Sequence, residues 1–340
     1  MIWLPEIPFP FSRLFKRQSV PAPQPERAPE PVEIQIEIPV KHLLQVADDF
    51  TINPLDWLGS GDRDAIFASS GMGKSYLAGV LVEEILETGG LVVIIDPEGE
   101  NYTLAEKYNL LIVGGDHATV GLNLDTASRE AIDEVLKTVL TNGISIIFDL
   151  SERTQKNQQE LFTMIGSSLF TLQDKPELRR PVKFVVEEAR VFAPQKAGSL
   201  PKVEGETCLE VFQNIATRGR KRGINMMFAT QRPAAISKDI LSEANRFWFG
   251  GVTSDTDCKA LKSYLDEAGV TAEDLKAIPR ASGEFYFYAN GDTKKIKTRK
   301  RKCKHGGATP APNPEHLKIA SRSDVAAAVK QLNRIGSADI

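Results

Sequence analysis

Short, almost wholly apolar runs alternate along this chain with amphipathic stretches. Ala65 to Phe67, Leu91 to Ile95, Leu110 to Val113, Ile144 to Leu150, Val182 to Val186, Ile224 to Ala229 and Phe247 to Gly250 have the pattern of strands buried on both faces. Helical periodicity fills most of the gaps. Leu77, Val80, Leu81 and Ile85 form one apolar stripe, and Ser128 to Leu140, Gln155 to Leu172, Thr207 to Arg222 and Asp255 to Ala268 read as further helices. The alternation predicts an α/β fold, a mainly parallel sheet flanked by helices, with ligands at the carboxyl ends of the strands. Gly283 to Asn290 and Thr293 to Lys302, around Asn290-Gly291-Asp292, predict a terminal β-hairpin.

The amino-terminal region departs from this pattern. MIWLPEIPFPFSRLFKR carries Trp3, Phe9, Phe11 and Phe15, and Pro21 to Pro31 is proline-rich, so residues 1–39 are expected to form a disordered aromatic tail on an extended tether. Val32 to Ile38 alternates as an exposed-edge strand would. Three prolines and Glu6 break the first apolar run, which excludes a signal peptide or membrane span and leaves residues 1–17 to dock on a protein or membrane surface, or back on the domain. The expected organisation is a tail over 1–39, one domain over 40–303, and a linker with a short helix, Asp324 to Leu332, over 304–340.

Composition narrows the picture. The 340 residues, 41% hydrophobic, suffice for one large α/β domain with appendages or two small domains. A net charge of −3 excludes a globally basic nucleic-acid binder, so any such contact must be local. Cys208, Cys258 and Cys303 lie far apart and the four histidines are scattered, which argues for a reducing, cytoplasmic setting without structural zinc.

The chemistry concentrates after the first buried strand. Ala68, Ser69, Ser70, Gly71, Met72, Gly73, Lys74 and Ser75 match G-x-x-x-x-G-K-[ST] with alanine for the first glycine. In this phosphate loop Gly71 and Gly73 let successive N–H groups turn inward, Lys74 reaches the β- and γ-phosphates, and Ser75 places a hydroxyl on Mg²⁺. The plain alternative is a Gly-Ser turn ahead of Lys-Ser; a strand before and a helix after favour the loop. The cofactors expected are ATP and Mg²⁺.

Such a loop needs a second acidic strand end. Asp149 closes one apolar run, whereas Val182 to Val186 runs into Glu187 and Glu188; the adjacent pair can serve the metal's water shell and the attacking water from opposite sides of the strand. Gln231, at the end of Ile224 to Ala229, offers an amide to the γ-phosphate, or is simply a polar strand end.

In this order ASSGMGKS, IIDPEGENY, FDLS, VVEEARVFAP, RGRKRGINMMFATQRP and ASGEFYFY resemble the HerA/FtsK superfamily of ring-forming DNA-pumping ATPases, most of all the HerA branch, over residues 50–300. The resemblance implies a RecA-like P-loop NTPase fold in which Lys74 and Ser75 bind nucleotide and Mg²⁺, Glu187 fills the metal-side position, Glu188 is the catalytic carboxylate and Gln231 the sensor. It places Asp96, Gly99 and Glu100 in a turn near the nucleotide, unless they only cap the next helix. Three departures stand out: Ala68, Glu187 where aspartate is usual, and Arg190 where histidine is frequent.

Members of this superfamily complete each site with an arginine from the neighbouring subunit; Arg218, Arg220, Arg222 and Arg63 are the candidates, ranked Arg220, Arg218, Arg63, or the cluster is a solvated basic face. The expectation is a homohexameric, DNA-translocating or helicase-type ATPase acting on DNA, double-stranded and without sequence preference, in genome processing, conjugation or viral packaging. The basic stretch Lys294 to Lys304 either lines the DNA path or protects an edge strand. The alternatives are a nucleotide-dependent switch or scaffold recruiting a partner through the tail, and, more remotely, a phosphate-loop kinase.

Overall fold

The computed structural model describes residues 44–53, 61–196, 198–307 and 323. The tail, the Val32 to Ile38 strand and the Asp324 to Leu332 helix lie outside the described residues. In chain order the elements are β1 (Leu44–Ala47), β2 (Phe50–Ile52), β3 (Arg63–Phe67), α1 (Lys74–Glu87), β4 (Leu91–Asp96), β5 (Leu110–Val113), α2 (Arg129–Asn142), β6 (Ser145–Asp149), α3 (Gln155–Leu172), β7 (Val182–Val186), β8 (Lys202–Val203), β9 (Glu206–Thr207), α4 (Cys208–Arg218), β10 (Ile224–Thr230), α5 (Lys238–Glu243), β11 (Arg246–Phe249), α6 (Asp255–Ala260), α7 (Lys262–Ala268), α8 (Ala272–Lys276), β12 (Glu284–Ala289) and β13 (Asp292–Lys297).

One nine-stranded sheet, ordered β13-β12-β11-β3-β10-β7-β4-β6-β5, forms the centre. The seven strands from β11 to β5 are parallel and β12 and β13 extend them antiparallel. Their interiors are apolar because helices flank the sheet: Phe162 of α3 packs against Phe184 of β7 (6.0 Å between ring centroids), Phe192 (4.5 Å) and Phe212 of α4 (5.7 Å). Two charges sit inside this layer. Lys183 of β7 pairs with Asp64 of β3 across β10, and the Trp248 indole N–H donates to the other Asp64 oxygen at 3.0 Å. Burial alone would push the Asp64 carboxyl up, but Lys183, Arg246 and Trp248 outweigh it and hold the group below the usual range.

Four sequence expectations change. The hairpin β1–β2, which the short pattern did not reveal, packs on α1 and sets Phe50 against Phe287, tilted, at 5.0 Å between ring centroids. The helix expected over Thr207 to Arg222 ends at Arg218, and a 3₁₀ turn, Arg220–Arg222, closes at Gly223 with φ 74°. The one expected over Asp255 to Ala268 divides at Leu261 into α6 and α7.

The fourth correction concerns the basic stretch. β13 stops at Lys297, and the chain beyond it crosses the acidic face of α1 as a strap. Arg299 meets Glu83 (2.9 Å) and Glu84, Arg301 meets Glu83 (3.1 Å), and Lys302 meets Glu84 (3.2 Å) and Glu87. Lys294 and Lys295 pair with Asp49 and Glu284, and Lys304 lies 3.6 Å from Glu106. Six of the eight cations of Lys294 to Lys304 thus lie beside carboxylates, and two of them, Arg299 and Arg301, are largely buried as internal scaffolding, whereas Lys295, Lys297, Lys300, Lys302 and Lys304 stay exposed. Gly79 permits the approach, since a Cβ there would fall 2.5 Å from Arg301 Cζ.

Glu83 is inaccessible to solvent and also accepts the Lys302 and Cys303 N–H groups, at 2.9 and 3.0 Å. These bonds and the two guanidiniums overcome the cost of burial and hold its carboxyl below the usual range. Glu83→Ala strands the Arg301 guanidinium, leaves Arg299 with Glu84 alone, and is expected to destabilise the protein by about 3–5 kcal/mol, measured by urea unfolding.

Candidate functional site

Parallel strands deliver their ends to one edge of the sheet, and a cavity of about 270 Å³ opens there, lined by residues that follow β3, β4, β7 and β10. From β3 come Ser69, Ser70, Gly71, Gly73, Lys74 and Ser75; from β4, Asp96, Glu98 and Glu100; from β7, Glu187 and Glu188; from β10, Gln231. Met72, grouped with the loop by sequence, turns inward instead and is 8% exposed, packed where a Cβ on Gly251 would strike it.

The loop has the backbone its glycines imply, with φ of 73° at Gly71 and 88° at Gly73. Ala68 has no positive φ and is fully buried, so alanine fills the first glycine position without strain. Ser69 donates its N–H to Gly251 O at 2.8 Å and its Oγ accepts from Thr253 N at 3.2 Å, fastening the loop to the segment after β11. Gly73 is the N-cap of α1, where no side chain caps the helix and no acidic residue stands in the first turn. The positive helix end therefore faces the cavity.

Opposite the loop, Lys74 Nζ lies 2.9 Å from Glu188 and 3.5 Å from Glu187. Both carboxylates meet the same ammonium, where strand alternation had suggested opposite sides: β7 ends at Val186, and Glu188 bends back at φ 44°, a left-handed conformation strained for any side-chain-bearing residue. Burial pushes the Glu187 carboxyl up to about 7, with Lys74 opposing and the acidic neighbours adding to the rise. Burial also works against the charge on Lys74, but Glu187, Glu188 and Glu100 outweigh it and raise its pKa. Glu188 Oε2 is buried with no hydrogen-bond partner among the described residues, and Arg190 approaches it at 3.4 Å.

Asp96 accepts N–H bonds from Glu98 (3.2 Å), Gly99 (2.9 Å) and Asn101 (2.8 Å), so it shapes its turn as well as lining the cavity. Burial raises its pKa to about 6. Asp149, the rival acidic strand end, stands apart: β4 separates β6 from β7, and its carboxylate accepts Ser151 N–H at 3.0 Å and Oγ–H at 2.6 Å.

Arg218, Arg220 and Arg63 lie at the other end of the sheet. Arg218 and Arg220 precede β10, and Arg220 packs where a Cβ on Gly61, before β3, would clash. Arg218 sits 5.4 Å from the Phe170 ring centroid, and Arg63 is engaged with Glu243. The seven residues of β10, at ~3.3 Å each, separate these arginines from their own cavity.

Tyr76, Glu98, Arg280, His305 and Gly307 also line the cavity and were not singled out from sequence. Tyr76 directly follows the loop motif and was within reach of a local reading. Arg280 and His305 arrive from more than 200 positions downstream, which no local spacing signals. His305 comes in on the strap and stands edge-on to Tyr76, 5.8 Å between centroids; burial lowers its pKa.

Among the described residues no cluster of three or more His, Cys, Asp or Glu is placed to hold a metal by itself, and no helix is long and apolar enough to cross a membrane.

Comparison with known proteins agrees with this architecture. The DNA double-strand break repair helicase HerA of Pyrococcus furiosus is 32% identical over 97 residues, 28% of this chain and 15% of that protein's length. The bacterial conjugative coupling protein TrwBΔN70 superposes with a TM-score of 0.53 at 11% identity, covering 76% of this chain and 88% of that one. TrwB in complex with ADP and Mg²⁺ gives 0.52 at 12% identity, covering 75% and 89%. At these identities the likeness concerns the fold, that of a P-loop NTPase. Residues 62–246, more than half of the chain, match the family described as "Helicase HerA, central domain" and span the phosphate loop, the acidic pair and Gln231. The chain belongs to the HerA helicase central-domain family.

Proposed function

We propose that this chain is an Mg²⁺-dependent ATPase that drives DNA, double-stranded and without sequence preference, through a homohexameric ring. The observation that carries the reading is the meeting of Lys74 with Glu187 and Glu188 at the mouth of the phosphate loop, with Ser75 and Gln231 lining the same cavity. The DNA load rests on the family and on the HerA relative, in genome processing or DNA transfer.

Ser69, Ser70, Gly71, Met72, Gly73, Lys74 and Ser75 cradle the phosphates, chiefly through backbone N–H groups and the Lys74 ammonium. Ser75 and Glu187 suit a hard cation that takes few protein ligands, and Glu188 Oε2, which accepts no hydrogen bond among the described residues, suits an ordered water beside it. Mg²⁺, when bound there, neutralises charge on the β- and γ-oxygens. Glu188 then orients the attacking water and accepts its proton, while Gln231 hydrogen-bonds at the γ-phosphate end. Lys74, paired with both carboxylates in the free protein, exchanges that partnership for the phosphates when ATP enters.

Arg220, with Arg218 and Arg63 next in order, completes the site of the neighbouring subunit. Its position at the amino end of the sheet supports action in trans, because it lies a strand's length from its own loop. The burial of Arg299 and Arg301 against α1 takes two cations out of any DNA-facing surface, which favours the second reading in one respect: a nucleotide-dependent switch that recruits a protein or membrane partner through residues 1–17 needs no DNA surface there.

Glu188→Gln is expected to lower kcat for ATP hydrolysis by about 10²–10⁴ while retaining nucleotide binding, and to abolish stimulation by DNA. Partner binding that survives in this variant, with no effect of DNA on the unmodified protein, would favour the switch. Arg220→Ala should lower kcat by about 10³–10⁵ without weakening nucleotide affinity, and mixing it with Lys74→Ala subunits should restore part of the activity. Acidity offers a further check. Since the folded pKa of Glu187 is raised from 4.5 to about 7 and that of Asp96 from 3.8 to about 6, their contribution to stability is complete at low pH and is lost as pH rises through those values. In nucleotide-free protein Glu187→Gln should therefore reduce the fall in melting temperature between pH 4.5 and about 7, and should raise the midpoint above that window by roughly 2–4 °C per kcal/mol recovered.

A further inference from the structure

The cavity is unbalanced in charge. Asp96, Glu98, Glu100, Glu187 and Glu188 line it, against Lys74 and Arg280. Lys74 is already held by two of the carboxylates. Arg280 is exposed and makes no hydrogen bond or ion pair among the described residues.

Its position is nevertheless defined. A Cβ built on Gly71 would fall 2.6 Å from Arg280 Nη2 and 2.9 Å from Nε, so the guanidinium lies directly on the phosphate loop. Gly71 thus serves twice, for its positive φ and for the space it leaves to Arg280. The backbone that presents the arginine is constrained on both sides: Pro279 precedes it, and Ala281 follows at φ 55°. Among the described residues four non-glycine positions have positive φ. Glu204 and Asn290 stand beside glycines in hairpin turns, whereas Glu188 lines the cavity and Ala281 adjoins a residue that lines it. Strain of this kind persists where the surroundings over-determine it, as they do at ligand clamps.

We propose that Arg280 is a phosphate-binding residue supplied by the same chain, its guanidinium engaging the β- and γ-phosphates of the nucleoside triphosphate held by the loop. This rests on the nucleotide reading above and extends it. A triphosphate brings negative charge into a cavity already rich in carboxylates, so a cation that no protein carboxylate neutralises weighs heavily in its binding. The planar guanidinium can meet two phosphate oxygens at once, which an ammonium cannot. Arg280 differs in origin from the arginine proposed to act in trans: it belongs to the segment before β12, reaches the loop within one subunit, and so contributes before any ring assembles.

The test is equilibrium binding of AMPPNP, ADP and AMP, each with Mg²⁺, to the full chain by titration calorimetry. Arg280→Ala should weaken AMPPNP roughly 10- to 100-fold, ADP less, and AMP less than about twofold, with an unchanged melting temperature because the side chain is exposed. Arg280→Lys should recover part of the AMPPNP affinity. Unchanged AMPPNP binding in Arg280→Ala, beside firm binding by the unmodified protein, overturns this inference and leaves the nucleotide site standing. An equal loss for all three nucleotides also overturns it, marking a structural effect on the loop. Failure of the unmodified protein to bind any nucleotide overturns the nucleotide reading and this inference with it.

Discussion

Four adjacent parallel strands, β3, β10, β7 and β4, are the constraint on which the rest of this protein depends. Because they run the same way, the phosphate loop, Gln231, Glu187-Glu188 and the Asp96 turn emerge at one edge of the sheet, side by side. The same parallelism sends Arg218, Arg220 and Arg63 to the opposite edge. Within one chain the arginines therefore stand a strand's length from the phosphate loop. The buried Lys183–Asp64 pair ties two of these strands, β7 and β3, across β10, and Trp248 joins the neighbouring β11 to them.

Charge is the second organising feature. Acidic groups that would repel one another are packed around Lys74, and the protein responds by pushing the Glu187 and Asp96 carboxyls up through burial while raising the pKa of the lysine. Strain accompanies the charge: Glu188 departs from strand geometry at the point where its carboxylate turns toward Lys74. Such a residue is held by its surroundings, not by its own conformational preference.

The strap shows how far a charge run can mislead. In one dimension Lys294 to Lys304 is a basic patch, and α1 offers an unremarked acidic face at Glu83, Glu84 and Glu87. In three dimensions Arg299, Arg301 and Lys302 meet that face over more than 200 intervening residues, and the strap they fasten delivers His305 and Gly307 to the nucleotide cavity. A segment that looked like a surface for a partner is also part of the wall of the site.

Local physical chemistry made much of the protein legible. Apolar runs bounded by turn residues marked the parallel strands to within a residue or two, and Gly71, Gly73, Lys74 and Ser75 announced the phosphate loop, because backbone freedom, charge and periodicity act over a few residues. The sequence also identified the adjacent carboxylates, though not that both would face Lys74, since the left-handed turn at Glu188 is imposed by packing. Only tertiary structure decided the inward turn of Met72, the short hairpin at Leu44–Ile52, the break of the helix at Leu261, the burial of Arg299 and Arg301, and the arrival of Arg280 over Gly71. Each depends on groups far apart in the chain, and their attraction, exclusion from water or close approach exists only once the sheet has brought them together.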